Sequence, residues 1–146
     1  MRISKKGLYA LEAMIRLAQD YGDAPLTIHS IAASEGIPEK FLELILLDLK
    51  SARLLESVRG AKGGYHLKRS PSKIFLGEII RTIDGPLAPL ADAEGLRRLM
   101  KRDRKHSALY KVFLDVRNSA ARILDHTSLD KVNPGQRKKI SGRSVV

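Results

Sequence analysis

The chain has 146 residues, 43% of them hydrophobic but only 5% aromatic and none Trp, so it is long enough for one domain with an aliphatic core. It contains no Cys, which excludes disulfides, thiolate metal sites and thiol nucleophiles. The net charge is +11 and it is concentrated late: residues 95–146 hold 14 Lys/Arg against 4 Asp/Glu, whereas residues 1–70 hold 11 against 8.

That distribution points to a polyanionic partner, nucleic acid before membrane; the alternative is a surface that only keeps the protein in solution. No run of about 18 apolar residues is present. The opening MRISKKGLYALEAMIRLAQ lacks the unbroken apolar stretch of a signal peptide. A cytoplasmic protein with no membrane partner is expected.

Leu8, Leu11, Met14, Ile15 and Ala18 recur at helical spacing and predict a first helix over roughly residues 4–20, with Ser4 as N-cap. DYGDAP breaks it. TIHSIAASE predicts a short second helix with Thr27 as N-cap and Gly36 just past its end. A third helix is expected to begin at Pro38, because proline is favoured where an N–H would have no partner. Its apolar stripe is Phe41, Leu42, Ile45, Leu46 and Leu49. LLESV and GYHL then read as two short strands joined by RGAKG, a glycine-rich hairpin loop. SPSKIFLGEIIRTID predicts a fourth helix through Leu76, Ile79, Ile80 and Ile83, ended by Gly85–Pro86. Residues 85–106 read as an irregular connector with room for one short helix. From Ser107 a long helix carries one stripe of Leu109, Val112, Phe113, Val116, Ala120, Ile123 and Leu124. Residues 128–146 read as a basic, flexible tail ending in QRKKISGRSVV.

Three helices followed by a β-hairpin make a winged helix-turn-helix. The expected fold class is therefore mainly α with a small β-hairpin (α+β), a winged domain over residues 1–84 followed by a long C-terminal helix over residues 107–127. Glu39, Lys40 and Glu43 lie off the apolar stripe of the third helix, where Lys can read guanine and Glu can accept from cytosine. Arg59 and Lys62 stand at the hairpin tip among Gly60, Gly63 and Gly64, able to cross the phosphate backbone toward a minor groove; the alternative is a tight turn whose charges are merely solvated. A phosphate-binding P-loop is excluded, since AKGGY lacks the Gly-Lys-Ser/Thr ending and a strand follows it.

The opening MR-x-S-x-K-G-x-YA, the x-FLE-x-IL-x-x-L helix and V-R-G-x-x-GGY resemble the BadM/IscR superfamily of bacterial winged-helix regulators, also called the Rrf (Rrf-two) family. The likeness runs from residue 1 to about residue 86. It implies a homodimeric transcription factor, usually a repressor, whose long C-terminal helix makes most of the dimer contact and whose preceding loop carries the sensor. It places the family's recognition Glu on Glu43 and its wing Arg on Arg59, with Gly60, Gly63, Gly64 and Tyr65 completing the wing motif. The iron–sulfur branch has a small polar residue where this chain has Lys40. That branch also holds its cluster with three Cys and a His directly before an Ala-Leu-aromatic step. Here the step Ala108–Leu109–Tyr110 follows Ser107, His106 is one place early, and there is no Cys. No cofactor is therefore expected: a Cys-ligated iron–sulfur cluster is excluded, and the scattered His29, His66, His106 and His126 make no metal site.

The candidate DNA-contacting residues are Arg2, Ser4, Lys6, Thr27, Pro38, Glu39, Lys40, Glu43 and Lys50 from the helical part. From the wing they are Arg59, Gly60, Lys62, Gly63, Gly64 and Tyr65. The candidate dimerisation residues are Leu109, Val112, Phe113, Val116, Ala120, Ile123 and Leu124; the alternative is that this helix packs back onto its own domain. The expected partners are double-stranded DNA, a second copy of the chain, and an unidentified small-molecule or protein effector. A protein-docking winged helix is the competing function. RNA binding is weaker, for want of stacking aromatics on a sheet, and no catalytic constellation is found.

Overall fold

The computed structural model describes residues 1–135. Helix α1 (Lys5–Gln19) starts where Ser4 caps it, the Ser4 hydroxyl accepting from the Gly7 N–H at 2.9 Å. The same hydroxyl donates to Asp84, and the Ser4 N–H donates to the second Asp84 oxygen at 2.9 Å. A carboxylate thus sits at the positive end of α1. Gly7 makes this possible, because a side chain there would collide with the Asp84 carboxylate. Helix α2 (Ile28–Glu35) is capped by Thr27, which accepts from Ser30 N–H at 3.1 Å, and ends on Gly36 at φ 65°.

Helix α3 (Glu39–Ser51) begins one residue later than expected. Pro38 has ψ 129°, extended rather than helical, so it is the cap residue and Glu39 the first helical one. Leu42, Ile45, Leu46 and Leu49 are buried as the period requires, but Phe41 is not. It stands half-exposed with its ring edge-on to Tyr9, centroids 6.0 Å apart. Strands β1 (Leu55–Val58) and β2 (Gly64–Leu67) pair antiparallel, with Leu55 opposite Leu67 and Val58 opposite Gly64.

A 3-10 turn (Pro71–Lys73) leads into α4 (Leu76–Asp84), whose Glu78 carboxylate accepts from the Phe75 N–H at 3.0 Å. The connector is more regular than its proline-rich start suggests: α5 (Ala93–Arg102) has ten residues, capped by Asp92 accepting from Gly95 N–H at 2.7 Å. A second 3-10 turn (Arg104–His106) runs straight into α6 (Ser107–Leu124). Among the described residues no helix is long and apolar enough to cross a membrane.

The core gathers the inner faces of α1 to α4 and the base of the hairpin. It also takes in Leu129, which is fully buried. This corrects the expectation of a tail from residue 128. Ser128 bridges Phe75, the Leu129 N–H donates to Ile74 O at 2.9 Å, and a 3-10 turn (Leu129–Val132) follows. One leucine finds a hole in the core and the backbone finds an unpaired carbonyl, and together they order a segment whose composition is polar. The QRKK stretch and the rest of the tail lie outside the described residues. A satellite cluster of Ile80, Leu87 and Ala121 joins α4 to α6. Arg81 of α4 then grips Asp125 at the end of α6 with two bonds, 2.6 and 2.8 Å. That hydrogen bond holds the Asp125 carboxyl below the usual carboxylate range and raises Arg81. Gly77 leaves the room this pair occupies.

Candidate nucleic-acid interface

A helix turns by about 100° per residue, so the residues opposite the buried stripe of α3 form one arc: Glu39, Lys40, Glu43, Leu44 and Leu47, with Lys50 continuing it. All six are exposed. Glu39 has the exposed His29 ring at 3.4 Å. The helix is held in place by Lys6, which pairs with Asp48 at 2.8 Å, and by the Ile37 N–H on Ala32 O at 3.1 Å. Of the expected contact residues, Lys40, Glu43 and Lys50 stand free on this arc. Ser4, Lys6 and Thr27 have bonded tasks inside the protein: capping α1 and binding Asp84, fixing α3, and capping α2. Leu44 and Leu47 were missed by sequence reasoning, which followed the buried stripe; the available signal was two leucines outside it.

The wing is built by crowding. Leu26 pairs with Tyr65 on the far side of the hairpin, its N–H donating at 2.9 Å and its carbonyl accepting at 2.7 Å. A Cβ on Gly64, at φ 149°, would run into that Leu26 carbonyl, and one on Gly63 would strike the Val58 carbonyl. These two glycines are required by the fold itself. Gly60, at φ 110°, faces open space and belongs to the tip. Tyr65 is half-buried against the core and supports the hairpin from below. Gly64→Ala is expected to lower stability by about 1–3 kcal/mol through backbone displacement, read as a lower midpoint in urea. A midpoint equal to wild type would show that the Leu26 clamp yields freely.

Arg59, Gly60, Ala61 and Lys62 project from the clamp, all exposed. Among the described residues none of Arg2, Lys40, Lys50, Arg59 and Lys62 is in an ion pair. Cations without internal partners are the groups that neutralise phosphates.

The stripe expected on the last helix divides into two faces. Leu109, Val112, Val116 and Ile123 point outward, each between 48 and 63% exposed. Phe113, Ala120 and Leu124 are half-buried on the inner side with the buried Leu114 and Ala121. The outward set repeats every seven residues at Leu109, Val116 and Ile123 with Val112 between, which is the spacing of a helix-to-helix seam.

Residues 3–134 match the family model Rrf2, described as an iron-dependent transcriptional regulator. The chain belongs to the Rrf2 family. It is 36% identical over 133 residues to the helix-turn-helix transcriptional regulator CymR of Bacillus subtilis (strain 168), covering 89% of this chain and 88% of CymR. Its structure is similar to that of B. subtilis CymR, the global cysteine regulator, with a TM-score of 0.73 at 34% identity, over 91% of this chain and 96% of that one. The structure of T. potens IscR is similar with a TM-score of 0.69 at 34% identity, over 90% and 85% of the two chains. As an Rrf2 protein the chain is a DNA-binding transcriptional regulator with a winged helix fold, and the relatives are regulators rather than enzymes.

The Rrf2 description names iron, and the residues of this chain can be tested for it. The stretch before α6 carries no thiolate, because the sequence has no Cys. Its single imidazole is tied to the neighbouring acid: Asp103 accepts from the His106 ring at 2.8 Å and from the Tyr110 hydroxyl at 3.0 Å. The His106 bond holds the Asp103 carboxyl below its ordinary range, and donation to Asp103 raises Tyr110. Among the described residues no group of three or more His, Cys, Asp and Glu side chains is placed to hold a metal. These donors do not fit an iron–sulfur cluster. Ahead of α6 this Rrf2 chain carries α5, whose exposed Arg97, Arg98, Lys101 and Arg102 are followed by Arg104 and Lys105. None of the six is in an ion pair among the described residues.

Proposed function

We propose that this protein is a homodimeric, sequence-specific repressor that acts in the cytoplasm without an iron–sulfur cluster. It reads a pseudo-palindromic operator with α3 in the major groove and the wing at the minor groove. The observation that carries the reading is the wing: an exposed loop with Arg59 and Lys62 unpaired, held against the winged domain by a backbone clamp. Arginine is favoured in a narrow minor groove by the concentrated negative potential there. The outward seam of α6 supports a twofold dimer, since the same apolar strip on two copies covers both at once. Half-site centres one or more helical turns apart follow from that symmetry.

The test is fluorescence anisotropy of the protein on its own upstream region and on scrambled DNA across a salt series. Tight binding to the first alone, with a steep salt slope, is expected. Arg59→Ala is expected to weaken operator binding by about tenfold to a hundredfold while sedimentation still shows a dimer. Equal weak binding to both DNAs overturns the operator reading; unchanged affinity in Arg59→Ala overturns the wing assignment. The unpaired cations of α5 favour, as a second reading, a regulator controlled by an acidic protein partner, which would co-purify in stoichiometric amount.

A further inference from the structure

We propose that Leu44 and Leu47 form an apolar strip on α3 that selects thymine through its 5-methyl group. The inference rests on the reading that α3 enters a major groove. Leu44 is 60% and Leu47 54% exposed, and neither belongs to either apolar cluster of the fold. Leu42, Ile45, Leu46 and Leu49 already fill the inner face of the helix. Two large aliphatic side chains on the most outward line of a helix gain nothing for folding and expose apolar surface to water. They share that line with Lys40, and Glu43 stands beside it, so the strip is continuous with polar groups suited to base edges. The unpaired Lys40 and Lys50 at its two ends suit a polyanion rather than an apolar protein surface.

The chemistry of the groove then narrows the occupant. Of the four bases only thymine presents a methyl group in the major groove; guanine, adenine and cytosine are marked there by their hydrogen-bond donors and acceptors. A leucine set against guanine or cytosine would strip water from polar atoms and return no hydrogen bond, which disfavours those pairs. The strip therefore selects in both directions. Leu44 and Leu47 are three residues apart, about 4.5 Å along the helix, comparable to the spacing of neighbouring base pairs. Each half-site is then expected to carry two neighbouring A·T pairs beside the position read by Glu43.

The test uses duplexes selected by the protein from a random pool, remade with deoxyuridine in place of single thymines, a change that removes only the methyl group. Wild type is expected to bind the deoxyuridine duplex roughly fourfold more weakly for each contacted methyl. Leu44→Ala and Leu47→Ala are each expected to bind the thymine and deoxyuridine duplexes alike at one position, with unchanged urea midpoints because both side chains are exposed. If wild type prefers its selected duplex to scrambled DNA but binds thymine and deoxyuridine forms equally at every position, the strip does not read methyls, and the operator reading stands. If no consensus emerges from the pool, the operator reading itself falls, and this inference with it. If either variant changes the sedimentation of the free protein, the strip is a contact between protein surfaces and the proposal is overturned.

Discussion

Replacing Val112 and Val116 together by lysine is expected to turn the protein into a monomer. Operator affinity is expected to fall by about a hundredfold to ten-thousandfold. Both valines lie on the outward line of α6 between Leu109 and Ile123, and both are exposed in the single chain. The variant should therefore fold, because no core contact is touched. In a twofold dimer built on this line the lysines of both copies would enter one apolar seam, placing unpaired like charges there. The loss in DNA binding follows from avidity: with two half-sites tethered, the second is bound at high effective concentration, and a monomer forfeits that gain without any change in its contacts. Sedimentation and anisotropy on the same preparation check the two halves of the prediction. A lysine variant that stays dimeric would place the interface elsewhere and return α6 to the role of a helix serving its own chain.

Leu129→Ala is expected to cost about 2–5 kcal/mol of stability, the range for deleting a fully buried leucine whose surroundings relax only in part. The side chain is completely enclosed, although it follows α6 by only a few residues and belongs to a stretch of polar composition. It plugs the same cluster that includes Met14, Ile74 and Ile79. Urea denaturation of the full chain measures the loss. A change below about 0.5 kcal/mol, the ordinary scatter of surface substitutions, would show that the segment after α6 rests on the domain without filling it.

The parts of this fold legible in the sequence are those whose signals are local. Ser4 and Thr27 announce helix starts by their hydroxyls, Gly36 an end by its left-handed backbone, and RGAKG a hairpin by glycines between strand-like runs. The parts that were not legible depend on partners distant along the chain. Nothing near Leu129 says that Ile74 offers a carbonyl and the core a vacancy. Gly63 and Gly64 read as bare backbone for a ligand, whereas the space beside them is taken by Val58 and Leu26. A 3.6 period detects that α6 is apolar but not that α5 and α4 cover one side of it; the outward seam and inner face merged into one stripe. On α3 the same habit ran the other way: following the buried stripe drew Phe41 inward and left Leu44 and Leu47 unremarked. Lys40 and Glu43 were legible as candidates because polar residues between apolar ones have only the outside to occupy.

The Leu129 plug has a consequence for inheritance. A gene segment encoding only the four helices α1 to α4 and the hairpin would specify a body with a hole in its core, because the side chain that closes the hole is encoded after the long helix. The reading head and the shaft that carries it therefore cannot be shuffled as separate pieces. A recombination joint anywhere between Asp84 and Leu129 leaves the first piece unfinished unless the incoming sequence supplies a leucine at the same place. Descent with both ends together is the condition under which this fold persists.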